Sequence, residues 1–328
     1  MKAPKFWNGN QSSLVPLLLS PLSVVYRFFD RLNRKSKSTL SASVPVICVG
    51  NAIVGGAGKT PVAISLAQYL IGQGWNVHFL SRGYGGQYKG PLRVVPDVHT
   101  ALDVGDEPLL LASFAPTWIS RDRVTGAAAA AKASADIIIM DDGFQNTSLK
   151  HDISFLVVDG GFGIGNGRIL PSGPLREPIK EALDRADAVI VIGSGIELSF
   201  LEGKTPPIFG AKITPHALQK ELVGGKVVAF AGIGRPEKFF DSLRDTGADV
   251  VETVEFPDHH NFSQEDIMML VEKAAQLDAA LVTTRKDYVR LSDDARMMTT
   301  VFDIDLVFKN PKELQKLLIE KLGTRQHA

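Results

Sequence analysis

Only one cysteine, Cys48, occurs among the 328 residues of the chain. A disulfide framework within the chain is therefore excluded, and a lone thiol in an apolar run suits a reducing compartment. Neither charge is in excess: Lys and Arg number 36, as do Asp and Glu. Nucleic acid is accordingly not an expected partner. No Cys/His group has the spacing of a thiolate or histidine metal centre. The glycine-rich stretches "GGFGIGNGR" and "AGIGRPE" both miss the G-x-G-x-x-G pattern, which sets a dinucleotide fingerprint aside. A long apolar run is missing as well. Residues 14–29 come nearest, but Pro16, Pro21 and Arg27 interrupt them, and they fall short of the roughly 20 residues a bilayer span requires. Nor do they read as a secretory signal, because the basic cluster follows the apolar part and no small-residue cleavage site closes it.

What is present is ordinary globular composition, 45% hydrophobic and 22% charged, in a chain long enough for two domains. A helix from about Leu22 onward aligns Val25, Phe28, Phe29 and Leu32 on one face and gathers Arg27, Arg31, Arg34 and Lys35 toward the other. That is the pattern of a helix lying in an anionic lipid interface. Packing on the chain's own domain is the alternative, and the two are compatible.

Beyond residue 40, short apolar runs alternate with helical stretches. "PVICVG", "NVHFLSRG", "ADIIIMDDG", "ISFLVVDGG" and "ADAVIVIG" read as buried strands. "TPVAISLAQYLIGQG", "DEPLLLASF" and "RDRVTGAAAAAKAS" read as helices. The alternation predicts an α/β fold, a mostly parallel sheet flanked by helices, with ligands at the carboxyl ends of the strands. A smaller α/β unit begins near Gly224, and Ser263 with Asp266 is expected to cap its helix over "QEDIMMLVEKAAQ". The expected organisation is 1–40 as an interfacial helical segment, 41–220 as the core domain and 221–328 as the smaller second unit, with 206–223 as a possible linker.

"VGNAIVGGAGKTP", residues 49–61, is a phosphate-binding loop with one departure, and it makes the expected α/β fold P-loop NTPase-like. Gly58, Lys59 and Thr60 fill the second half of G-x-x-x-x-G-K-[ST], but Ile53 stands where the pattern has glycine. Gly55, Gly56 and Ala57 keep large side chains away from where backbone N–H groups must meet phosphate. Pro61 suits a first helical turn. Lys59 is expected on the β and γ phosphates of a nucleotide and Thr60 on Mg²⁺. Asp141 and Asp142, ending "IIIMDD", supply the acid that organises the metal. Adjacent on a strand, the two cannot both face it.

Eight stretches in order resemble one family: the loop at 49–61, "SRGYGG", "GDEP", "DDGFQN", "LPSGPLREP", "AFAGIGRPEKFF", "FPDHHNF" and "TTRKD". Together they resemble the tetraacyldisaccharide 4′-kinases, the lipid A 4′-kinases of Gram-negative bacteria, over nearly the whole chain. That family's loop reads G-N-x-x-x-G-G-x-G-K-T-P, so Gly50, Asn51 and Ile53 follow its form. One departure is Asn146, where the family has a histidine on the lipid-substrate side; an amide cannot become cationic.

The resemblance implies an ATP- and Mg²⁺-dependent kinase acting on an acylated glucosamine disaccharide 1-phosphate. It places the chain at the cytoplasmic face of the inner membrane, held through the N-terminal segment, with no protein partner implied. Asp106, opening the helix after an "ALDV" run read as strand-like, is the candidate base, with helix N-capping as the alternative. The family points to His259 as its partner, and His260 is adjacent. Since His259 belongs to the second unit, the pair implies domain closure. Glu107 is assigned near Mg²⁺, directly or through water, with a plain first-turn glutamate as the alternative. Arg82, Tyr84, Arg121, Gln145, Asn146, Arg176 and Glu177 are assigned to substrate. Packing or solvated roles stay open for Tyr84 and Arg121. Lys286 and Asp287 are candidates for the nucleotide or for stabilising the second unit. A regulatory P-loop switch or an ATP-dependent ligase could use the same loop, although no N-K-x-D is present.

Overall fold

The structure, a computed structural model, describes residues 4–8, 14–35, 38–195, 206–216 and 222–323, with backbone only at 33–35. Eight strands come first: β1 (Val46–Gly50), β2 (Val77–Ser81), β3 (Leu92–Arg93), β4 (Thr117–Ile119), β5 (Ile137–Asp141), β6 (Ile153–Asp159), β7 (Ala188–Ile192) and β8 (Ile208–Pro215). They are followed by β9 (Lys226–Ala231), β10 (Asp249–Glu255), β11 (Ala280–Thr284), β12 (Thr300–Phe302) and β13 (Ile304–Phe308). One sheet has the order β13-β8-β7-β6-β1-β5-β2-β4-β3 and the other β10-β9-β11-β12. The large sheet is parallel except at its two edges, where β3 and β13 run antiparallel. The central strands are buried along their length, as unbroken apolar runs covered on both faces must be.

The helix Lys59–Gly72 packs Val62, Ala63, Leu66, Ala67 and Leu70 onto one face of this sheet. Leu66 has no exposed surface, and truncating such a side chain costs about 2–5 kcal/mol. Arg123–Lys132 and Ile179–Arg185 cover the other face through Ala127, Ala130, Ala182 and Leu183. In the second sheet, Phe239, Phe240 and Leu243 pack one face and Ile267, Leu270 and Ala274 the other. The expected Ser263–Asp266 capping box is present at Gln264–Gln276.

Four elements differ from the sequence reading. The expected linker at 206–223 contains β8, which pairs with β7 and with β13; residues 217–221 lie outside the described ones. The chain also returns: β13 pairs antiparallel with β8, and the helix Pro311–Leu322 buries Leu314 and Leu318 in the core of the large sheet. Among the described residues, the chain thus passes from the first sheet to the second and back again. "ALDV" forms a helical turn, Ala101–Val104, because Thr100 and Asp103 close a capping box on it. Lastly, the N-terminal helix runs from Val15 to Lys35 with Pro21 inside it, starting well before Leu22. Pro16 sits in its first turn, where no intrahelical N–H is lost.

The polar stripe of this helix faces the protein. Ser23 Oγ donates to the Ile169 carbonyl at 2.9 Å and meets Ser172 Oγ at 2.8 Å. Arg27 and Arg31 reach Glu181 at 3.0 and 2.9 Å, so two of the expected lipid-facing cations are engaged by the core. The side chains of Arg34 and Lys35 lie outside the described residues. Leu14, Leu18, Leu22, Val25, Phe29 and Leu32 are exposed, spaced three and four apart as one helical face.

Candidate active site

β1 delivers the chain to the loop at Gly50, where a Cβ would lie 2.4 Å from Phe144 Cβ. The loop then turns through Gly55 and Gly58, both at positive φ, and Gly58 caps the helix Lys59–Gly72. Nothing lies within 4 Å of a Cβ built at Gly55 or Gly56, so this side of the loop is open to a ligand. Asn51, fully buried, ties the loop across itself by donating to the Gly55 carbonyl at 3.2 Å. Ile53 forms an antiparallel bridge with Leu175. Val54 N donates to the Pro174 carbonyl and Arg176 N to the Ala52 carbonyl, each at 2.8 Å. The apolar residue at the pattern's glycine position thus joins the loop to "PSGPLREP".

At the helix start, Thr60 Oγ1 donates to Asp141 Oδ2 at 3.0 Å. Asp142, at φ 51, turns away from Asp141 to Lys59 Nζ at 3.7 Å and Arg176 Nη1 at 3.3 Å. The two carboxylates titrate apart. Burial raises Asp141 well above the usual carboxylate range, and the charges of Glu107 and Asp142 add to this against Lys59. Burial also opposes charge on Asp142, but Lys59, Arg176 and Arg123 outweigh it and lower its pKa. Asp141 Oδ1 is buried with no hydrogen-bond partner. A cation beside Thr60 would satisfy that oxygen and reverse the cost of its charge, so the residues fit Mg²⁺, with Glu107 nearby. No ready-made group of three or more His, Cys, Asp or Glu ligands occurs among the described residues. Mg²⁺ sites completed by water and phosphate oxygens do not need one.

The second constellation bridges the two sheets. Asp106, 5% exposed, opens the helix Asp106–Ala112 after Gly105 at φ 92. Its Oδ1 accepts from Glu107 N at 2.9 Å and its Oδ2 pairs with His259 Nδ1 at 2.8 Å. Lys286 Nζ and Arg290 Nε stand 3.8 and 3.9 Å from the same oxygen. Burial works to raise Asp106, but the His259 hydrogen bond and the Lys286, His259 and Arg290 charges hold it at about 2. His259 moves the other way: its hydrogen bond to Asp106 raises it, against burial and Lys286. Its Nε2 is left toward Lys286 Nζ, 3.5 Å away. His260 is turned elsewhere, stacked on Phe256 and paired with Asp266.

A family model for tetraacyldisaccharide-1-P 4′-kinase matches residues 15–323. The chain belongs to that family. It is 51% identical over 299 residues to the tetraacyldisaccharide 4′-kinase of Parvibaculum lavamentivorans, covering 89% of this chain and 87% of that one. It is 48% identical over 329 residues to that of Paramagnetospirillum magneticum, covering 99% and 100%. The crystal structure of LpxK from Aquifex aeolicus in complex with ATP superposes with a TM-score of 0.77 at 28% identity, covering 94% of this chain and 99% of that one.

Around this candidate site the remaining residues take different places. Gln145 Nε2 donates to the Asn51 carbonyl at 2.8 Å, and its Oε1 accepts from Arg176 at 3.0 Å. Glu177 is 1% exposed and holds Arg185 at 2.7 Å, which shapes the loop from beneath. Asn146 is used locally, its Oδ1 accepting from Ser148 Oγ and Leu149 N. Arg82, Tyr84 and Arg121 are exposed on loops at the carboxyl edge of the sheet. Asp287 is buried, accepting from Gly232 N, Thr284 and Arg290, and so braces the second unit. Two arginines escaped the sequence reading. Arg290 is nearly inaccessible beside Asp106 and also donates to the carbonyls of His260 and Gly232. Arg123, 4% exposed, keeps its Nε unpartnered; burial, with Arg82, lowers its pKa to about 10. Nothing local distinguishes Arg123 from Arg121 in "SRDR", and Arg290 lies outside every quoted motif.

Proposed function

We propose that the chain transfers the γ-phosphoryl group of ATP to the 4′-hydroxyl of a tetraacylated glucosamine disaccharide 1-phosphate, giving lipid IVA in lipid A biosynthesis. The observation that carries this reading is the Asp106–His259 pair beside a complete phosphate loop, in a member of the tetraacyldisaccharide-1-P 4′-kinase family. The backbone N–H groups of 55–60 and Lys59 hold the β and γ phosphates. Thr60 and Asp141 would hold Mg²⁺, with Glu107 nearby; when bound, the metal neutralises charge on the phosphate oxygens. The acceptor oxygen forms a bond to the γ-phosphorus as the bond to the ADP oxygen breaks. The hydroxyl proton passes to the Asp106–His259 dyad, Asp106 orienting the imidazole and stabilising its charge. Arg176 and Gln145 border the acceptor side of the loop, and Arg82, Tyr84 and Arg121 form its rim. Closure of the second unit brings His259 in and excludes water.

In this reading the N-terminal helix holds the site at a membrane surface. No helix among the described residues is long and apolar enough to cross a bilayer. Its polar stripe is consumed by the protein and its apolar face is exposed. This suits a helix lying in the interface at the cytoplasmic face of the inner membrane. The deciding experiment incubates purified protein with Mg-ATP and the acylated disaccharide 1-phosphate in detergent micelles. Stoichiometric ADP and bisphosphorylated lipid are expected. ATP consumption with no phosphorylated lipid would overturn the reading.

A further inference from the structure

The two units meet at a second place that the phosphoryl-transfer chemistry leaves unused. Asp159 ends β6, the strand beside β1 on the side away from β5. Its carboxylate is mostly buried: Oδ1 accepts from Gly161 N at 2.8 Å and Oδ2 from Arg235 Nη1 at 2.7 Å. Lys238 Nζ is 3.6 Å from the same oxygen. The Arg235 guanidinium also lies 5.5 Å from the Phe162 ring centre, a cation–π distance. Arg235 and Lys238 belong to the second unit, at and just inside the start of the helix Pro236–Asp245. Asp159 and Phe162 belong to the first.

The loop that carries Arg235 also sets His259. His259 N donates to the Gly232 carbonyl at 3.1 Å, and His259 holds a positive φ of 60°. Arg235 follows Gly232 closely in the loop after β9. The two cross-unit pairs, Asp106–His259 and Asp159–Arg235, stand on opposite flanks of the phosphate loop. Neither Asp159 nor Arg235 touches the phosphate loop or the Asp106–His259 pair through any hydrogen bond described above.

We infer that Asp159 and Arg235, with Lys238 in support, form a latch that holds the closed arrangement and so positions His259 on Asp106. They are positioning residues, and the phosphate loop lies wholly in the first unit. Loss of the latch therefore lowers kcat and leaves the KM for ATP in place. The inference rests on the kinase reading only for its kinetic readout.

The test uses full-length protein labelled at Lys132→Cys and Glu272→Cys, both exposed sites on opposite units, with Cys48 buried. Arg235→Ala/Lys238→Ala should lengthen or broaden the inter-unit distance measured by energy transfer. It should lower kcat about fivefold, the upper range for a partly exposed ion pair, with an unchanged KM for ATP. Arg235→Lys should restore much of the rate. The reversed pair Asp159→Arg/Arg235→Asp should restore more than either single change does. An unchanged distance and kcat in the double alanine variant would overturn the latch, as would a loss of ATP affinity equal to the loss of rate. Because the distance is read without turnover, a kinase that failed the lipid assay would still report on the latch.

Discussion

Asp106 and His259 are each shifted by the other, and the directions have consequences that can be measured. A proton acceptor that must first lose its proton gives an acid limb in the rate profile. His259 is raised from 6.5 by its bond to Asp106, so the limb of kcat/KM should lie above pH 6.5. Asp106→Asn removes that cause and should move the limb to lower pH while reducing the rate. His259→Ala should cost about 10²-fold or more in kcat. The double variant should be little worse than the poorer single one, because the pair acts as a unit; clear additivity in kinetic assays would refute the coupling. Stability follows the same pair. Asp106 is lowered from 3.8 to about 2, so its contribution is present above pH 3.8 and lost as pH falls through 2. His259 is raised, so its contribution is present below 6.5 and lost as pH rises through its folded value. The difference in melting temperature between wild type and Asp106→Asn should therefore be greatest between these limits, from 3.8 to 6.5. A second residue-scale expectation concerns Gly50. A Cβ there meets Phe144 Cβ at 2.4 Å, so Gly50→Ala should destabilise by about 1–3 kcal/mol, read from denaturant unfolding.

At the scale of elements, one segment organises the site. The loop at 166–178 pairs with the phosphate loop through Ile53 and Leu175, lends Arg176 to Asp142 and seats the N-terminal helix through Ile169 and Ser172. The phosphate loop itself was legible because its information is local: glycines, a lysine and a hydroxyl at fixed spacing after an apolar run. Its partner was not, because Ile53 meets Leu175 across a gap in sequence that no local pattern spans. The N-terminal helix shows the same division. Its apolar periodicity was readable, but its start at Val15 and the engagement of Arg27 and Arg31 by Glu181 depend on the surface it docks against. Replacing exposed Leu18, Val25 and Phe29 by Ser should abolish co-sedimentation with anionic vesicles. The melting temperature should barely move, since these side chains pack against little in the protein. Retained vesicle binding would remove this helix as the membrane contact.

At the scale of the molecule, the described residues pass from the large sheet to the second one after β8 and return between β12 and β13. The antiparallel β8–β13 pair extends the large sheet, and His259 and Arg235 reach it from the side of the second sheet. A ligand that binds only the folded chain stabilises it by mass action. Mg-ATP at a hundred times its Kd should therefore add about 2.7 kcal/mol, seen as a raised melting temperature. Lys59→Ala should largely abolish that increase. An undiminished shift in this variant would place the nucleotide elsewhere.

The order of apolar runs and helical spacings was enough to determine an α/β fold, because strand burial and helix periodicity are written into neighbouring residues. The eight ordered stretches were enough to indicate the family. Tertiary structure alone decided which carboxylate faces Thr60, since Asp141 and Asp142 differ only in the backbone turn between them. It alone returned residues 304–322 to the first sheet, because β13 satisfies its backbone only beside β8. It brought Asp106 within 2.8 Å of His259, a pairing that the chain's resemblance anticipated but that only the packing of two separate sheets can form.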